Sequence, residues 1–206
     1  MALRNTLAAV LSLCCLLGLS SSAWACACCV ERGYYSLVNS RPDTFYLGIL
    51  ENMKFAGPAE FYMTVGGFDA TKGLADLEKD EAAGKSIELD VVESFVKKTW
   101  TLNVKTGSGR NGALTLPMPA TFRRFMVDID GVDNGLGVSL YKEFSVTGRI
   151  RRATGIFGSA NRNTNYMLLF QGRGNGCDDA SDFTRWRLEL DGPKAEYAFF
   201  GELIRP

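Results

Sequence analysis

The sequence contains no histidine. That excludes a Ser-His-Asp triad, a Cys-His nucleophile pair and any His-ligated metal, and it removes the side chain that ordinarily changes charge near neutral pH. Long apolar runs are missing as well. The run from Leu7 to Leu19 covers about 13 residues, short of the roughly 20 that cross a bilayer as a helix. Nor is there an excess of either charge, with 23 basic and 23 acidic side chains. Such a balance speaks against a nucleic-acid partner, which calls for a basic surface. No internal repeat, low-complexity tract or interdomain linker is apparent.

The short apolar run has a use of its own. Arg4 precedes it, and Ser20-Ser21-Ser22-Ala23-Trp24-Ala25 follows it. Small residues at Ala23 and Ala25 satisfy the A-x-A rule of a signal peptidase. Residues 1–25 are therefore expected to be a cleaved signal peptide, and Cys26 the new N-terminus of a secreted or periplasmic protein. Lipid attachment at Cys26 is disfavoured, because Trp24 stands where a lipoprotein signal carries a small residue. Residues 26–206, 181 in number, suit one domain with a substantial core.

Strand-period alternation dominates this part. Trp100, Leu102 and Val104 alternate with Thr99, Thr101 and Asn103. Phe125, Val127 and Ile129 alternate with Arg124, Met126 and Asp128; Trp186, Leu188 and Leu190 alternate with Arg185, Arg187 and Glu189. Each pattern predicts an antiparallel strand with one dry and one wet face. Further strands are expected at Thr44–Leu50, Glu60–Val65, Ser86–Val96, Gly137–Ile150, Asn165–Gly172 and Ala195–Ile204. Asp191-Gly192-Pro193 predicts a hairpin connection. Ala70–Ala83 carries Leu74 and Leu77 at helical spacing, with Asp69 and Gly84 as start and stop signals. The expected fold is all-β: a single antiparallel sandwich or barrel of about nine strands with one short helix.

Four cysteines lie outside the leader: Cys26, Cys28, Cys29 and Cys177. In an oxidising compartment disulfides are the default, and four cysteines allow three pairings. A bond from the N-terminal cluster to Cys177 closes a long loop, worth about 4–5 kcal/mol in the entropic treatment. Alternatively, clustered thiolates suit copper(I) or zinc. The spacing lacks the paired Cys-x-x-Cys of a zinc finger. Intermolecular cross-linking through the N-terminal cluster is a third option.

Charge is unevenly spread. Residues 26–96 hold 6 basic and 12 acidic side chains, while residues 97–206 hold 16 basic and 11 acidic. From Phe144 to Gly176 there is no carboxylate, yet Arg149, Arg151, Arg152, Arg162 and Arg173 fall there. Arginine forks grip carboxylates, sulfates and phosphates, so these five are the candidate binding residues for an anionic glycan or a lipid head group. The competing account is that they pair with acids from the first half. Asp128, Asp130 and Asp133 on a Gly-rich segment offer oxygen ligands to calcium, although their order departs from the EF-hand and acidic residues favour turns in any case. No carboxylate pair stands above the others as a glycosidase couple.

Glu31-Arg32-Gly33-Tyr34-Tyr35 resembles the Gly-x-Trp opening of lipocalins, ligand-holding barrels, with Tyr35 in place of Trp and no long helix after the last strand. A Gly-Tyr turn into an early strand accounts for the same residues.

Two readings follow. One is an exported, non-catalytic β-domain that binds a ligand or partner, or serves an envelope structure, without a cofactor. The other is a cysteine-cluster metal-binding or thiol redox protein. Native mass spectrometry of the exported protein is expected to give a chain beginning at Cys26, lighter by the hydrogens of two disulfides. A metal adduct with reduced thiols would favour the second reading.

Overall fold

The computed structural model describes residues 35–57, 59–62, 64–65, 68–69, 87–94, 98–106, 109–118, 122–128, 140–174 and 179–204. The leader, the expected helix at Ala70–Ala83 and all four cysteines lie outside the described residues.

The chain enters as strand β1 (Tyr35–Ser40), which the alternation analysis had not marked. Next comes helix α1 (Thr44–Asn52), where a strand at Thr44–Leu50 was expected. The correction has a local cause. Asp43 caps the helix, its carboxylate accepting from the Tyr46 N–H at 3.0 Å. Ile49, Leu50 and Met53 then bury one helical stripe, with Tyr46 packed against it. The β-prone composition of Thr-Phe-Tyr yields to the cap and the stripe.

Short strands follow: β2 (Lys54–Phe55), β3 (Glu60–Tyr62), β4 (Thr64–Val65) and β5 (Phe68–Asp69). Then come β6 (Ile87–Ser94), β7 (Thr99–Thr106), β8 (Asn111–Pro117), β9 (Phe122–Asp128), β10 (Leu140–Arg149), β11 (Arg152–Gly155) and β12 (Asn165–Gly174). A 3-10 turn (Ala180–Asp182) precedes β13 (Phe183–Gly192) and β14 (Ala195–Ile204). The β13–β14 hairpin closes as expected, with Gly192 opposite Ala195.

Two antiparallel sheets carry the fold. The larger is ordered β1-β9-β10-β12-β13-β14-β2, with β3 also on β14; the smaller is ordered β11-β8-β7-β6. A two-stranded ribbon, β4-β5, forms its own ladder beside β14. Among the described residues no closed barrel forms, so of the two expected architectures the barrel is excluded. No described helix is long and apolar enough to cross a membrane.

One core joins the sheets. Trp100, Leu102 and Leu116 from the small sheet share it with Phe144, Leu168 and Trp186 from the large one. Phe144 lies 4.5 Å from Phe183 and 5.5 Å from Phe122, ring centre to ring centre, and Tyr46 of α1 lies 4.9 Å from Phe122. Side chains of this size contribute about 1.5–3 kcal/mol each on full burial.

A lysine is built into that core. Lys142 is fully buried and forms an ion pair with Asp182, which sits on the 3-10 turn. The turn presses closely on β12: a Cβ at Gly172 would lie 1.8 Å from the Asp182 carbonyl oxygen, and one at Gly174 would lie 1.7 Å from its carboxylate. Glycine is required at both positions for the carboxylate to reach the lysine. Asp182→Ala is expected to lower the unfolding free energy by about 3 kcal/mol, since a buried charge loses its carboxylate. The double variant Lys142→Met with Asp182→Ala is expected to recover most of it, because apolar volume then replaces charge. Urea titrations of the three proteins measure both effects.

Candidate functional site

Two surface features are built by this topology: a basic corner and a groove. At the corner the chain leaves the large sheet for the small one. The Ile150 N–H donates to the Thr164 carbonyl at 3.0 Å, and the next N–H, that of Arg151, donates to the Thr115 carbonyl in β8 at 2.9 Å. Ile150 is buried. Arg149, Arg151 and Arg152 around it are all exposed. The returning loop carries Arg162 between Asn161 and Asn163. Its shape is held by Asn163 N–H on the Asn161 side-chain oxygen at 2.8 Å and by Thr164 N–H on the Asn161 carbonyl at 2.8 Å. The β13–β14 hairpin lies against this loop, since a Cβ at Gly192 would meet the Thr164 hydroxyl at 2.7 Å. Exposed Lys194 thus adds a charge at the same end.

Among the described residues no carboxylate is in ion-pair reach of Arg149, Arg151, Arg152 or Arg162. Asp191 is the nearest acid by register. It shares a row with Arg149 and Asn165 two strands away, about 10 Å at ordinary strand spacing. Arg173 does not join the group. It lies eight residues along β12 from Asn165, the partner of Arg149, about 26 Å off.

The groove opens on the outward face of the large sheet, near β1 and β9, with a volume of about 550 Å³. Arg41 and Arg123 line it on the β1 and β9 side, Ser145 and Thr147 in the middle on β10, and Met167 and Leu169 on the β12 side. Asn39, Ser40 and Glu143 complete its polar lining. The pleat explains most of the set, although Ser40 pairs with buried Phe122. Arg123 lies opposite both Asn39 and Ser145, and Ser145 lies opposite Leu169. Arg41 and Arg123 are exposed and have no carboxylate in ion-pair reach among the described residues. Arg149 is the next outward position after Thr147 on β10, about 7 Å along the strand.

Glu143 is already engaged. It accepts from the Tyr141 hydroxyl and, at 3.0 Å, from the Gln171 side-chain amide, which also donates to Tyr141 at 2.7 Å. Burial, then the hydrogen bond to Glu143 and its negative charge, push the Tyr141 phenol up to about 12, while Gln171 and Arg173 pull the other way.

Neither rim arginine of the groove stood out in the sequence. The β9 pattern had suggested that Phe125 and Val127 face the core. In the structure Phe122 and Met126 are buried, and Phe125 faces outward against Tyr35 and Tyr141. Arg124 shares the inner row, its guanidinium lying over the Tyr46 ring, 4.6 Å from the centroid. That reversal places Arg123 on the outer face.

The metal candidates fare differently. Cys26, Cys28, Cys29, Cys177, Asp130 and Asp133 lie outside the described residues, and Asp128 ends β9 opposite Leu140. Among the described residues no three metal-binding side chains gather. No family model, curated protein or solved structure matches the chain, so the chemistry of these two features is the guide to function.

Tyr141 provides a check on the geometry. A phenol held above its ordinary value of 10 in the fold stabilises the protein below pH 10, and that contribution is lost as pH rises toward 12. Stability is expected to decline over this window, and Tyr141→Phe to make the decline shallower. Phenolate absorbance and urea midpoints across the window measure it.

Proposed function

We propose that this protein is an exported, non-catalytic β-domain, a two-sheet sandwich that binds an anionic partner through the corner formed by Arg149, Arg151, Arg152 and Arg162. One observation carries the reading: four exposed guanidinium groups share one end of the domain, and no carboxylate in reach neutralises them among the described residues. A protein that needed these arginines only to hold its strands together would pair them. Holding like charges together costs free energy, which an anionic partner offsets.

The four arginines are exposed, which suits an extended acidic surface such as an anionic glycan or a layer of lipid head groups. Guanidinium forks match sulfate, phosphate and carboxylate oxygens in pairs. Arg173 plays no part in this contact, being remote along β12. The leader expected at residues 1–25 supports an encounter in the periplasm or outside the cell.

Charge reversal of Arg149, Arg151 and Arg152 to Glu is expected to reduce binding to acidic glycan arrays or anionic vesicles at least tenfold. Wild-type binding is expected to weaken as salt is raised, because exposed charges are screened. Absence of wild-type binding to every anionic surface tested would end the reading.

A further inference from the structure

The geometry points to a second, separate binding site in the groove on the outward face of the large sheet, for a single acidic sugar unit. The argument starts from the kinds of group that converge there. Arg41 and Arg123 both reach the rim with no carboxylate in ion-pair range among the described residues. They offer one anionic group paired, charge-assisted hydrogen bonds. Ser40, Ser145, Thr147 and the Asn39 amide supply several donors and acceptors along the walls. Met167 and Leu169, both half-buried, give its β12 side an apolar surface.

Few ligands use all three features together. A sugar ring presents hydroxyls at its edge and C–H groups on its face, and an acidic sugar adds the anion. An aliphatic carboxylate of the same size would satisfy the arginines and the apolar side. It would also cover three hydroxyls and an amide without offering partners, at a cost in desolvation. A neutral sugar would leave both guanidinium groups unused. Glu143 also lines the groove and keeps its negative charge, held by Tyr141 and Gln171, so the anion belongs on the Arg41 and Arg123 side. A volume of about 550 Å³ falls within the usual range for small-ligand sites. The groove is open on one side, so a terminal unit of a longer chain would enter as well as a free monosaccharide.

The site is distinct from the arginine corner. Arg149 borders both, but Arg151 and Arg152 lie on the corner alone. Titration calorimetry and saturation-transfer NMR with glucuronate, glucose and hexanoate test the assignment on the full exported protein. Glucuronate is expected to bind saturably and more tightly than either of the others. Arg123→Ala and Thr147→Tyr are both expected to weaken it about tenfold or more; the first removes charge from the rim and the second fills the groove. Both positions are exposed, and circular dichroism with a thermal melt confirms that each variant is folded. Glucuronate binding is read on the groove variants and vesicle binding on the Arg149, Arg151 and Arg152 reversal, so failure of the groove and failure of the corner are distinguished. No saturable glucuronate signal up to about 10 mM would overturn the proposal. So would hexanoate binding as tightly as glucuronate, or folded groove variants that bind like the wild type.

Discussion

Two neighbouring amides organise this molecule. The Ile150 N–H is bonded within the large sheet's end and the Arg151 N–H within the small sheet. A chain that changes sheets within two residues leaves no room for the layers to separate, so their inner faces share one core. Tyr166 reinforces the junction from β12, its buried hydroxyl donating to the Pro117 carbonyl at the end of β8. Burial raises that phenol's affinity for its proton, keeping it a donor. Gly148 makes space for the ring, since a Cβ there would lie 2.8 Å from it. The tight corner also has an outward consequence. Ile150 takes the buried position, so the arginines beside it are left on the surface.

A different constraint operates at the far end of the same strands. There Lys142 reaches through the core side of β10 to Asp182 and ties down the turn before β13. An ion pair so placed adds little net stability compared with apolar packing, because both charges are desolvated. What it provides is position: the link containing Cys177 is bounded by Gly174 on one side and by the pinned 3-10 turn on the other. The large sheet is thus held at both ends, and the groove residues sit on its outward face.

The binding features differ in how visible they were in the residues. Arg149, Arg151 and Arg152 are nearly contiguous in a stretch without carboxylates, so composition alone exposed them. Arg173 belonged to the same stretch, yet extended geometry carries it about 26 Å away. Arg41 and Arg123 are 82 positions apart in the chain. They meet only because β1 pairs with β9 in one particular register, Asn39 opposite Arg123. No local pattern encodes a pairing of that separation. The face of β9 was misjudged for a related reason. Its outward row, Arg123, Phe125 and Val127, is the more apolar, yet Phe122 and Met126 go inside and Arg124 joins them over Tyr46, on a helix that local pattern reads as a strand.

By itself the sequence determined the β class, the strands from β12 to β14 with their closing hairpin, the inward rows of β7 and β13, and the exclusion of histidine chemistry. These depend on side-chain period, turn residues and composition, all of which act over a few neighbours. Tertiary structure alone decided that the strands form two sheets and not a closed barrel, that Thr44–Asn52 is a helix, which face of β9 is dry, and which arginines stand together. Those outcomes depend on the partner each surface finds, and the free energy of burial is shared between residues far apart in the chain.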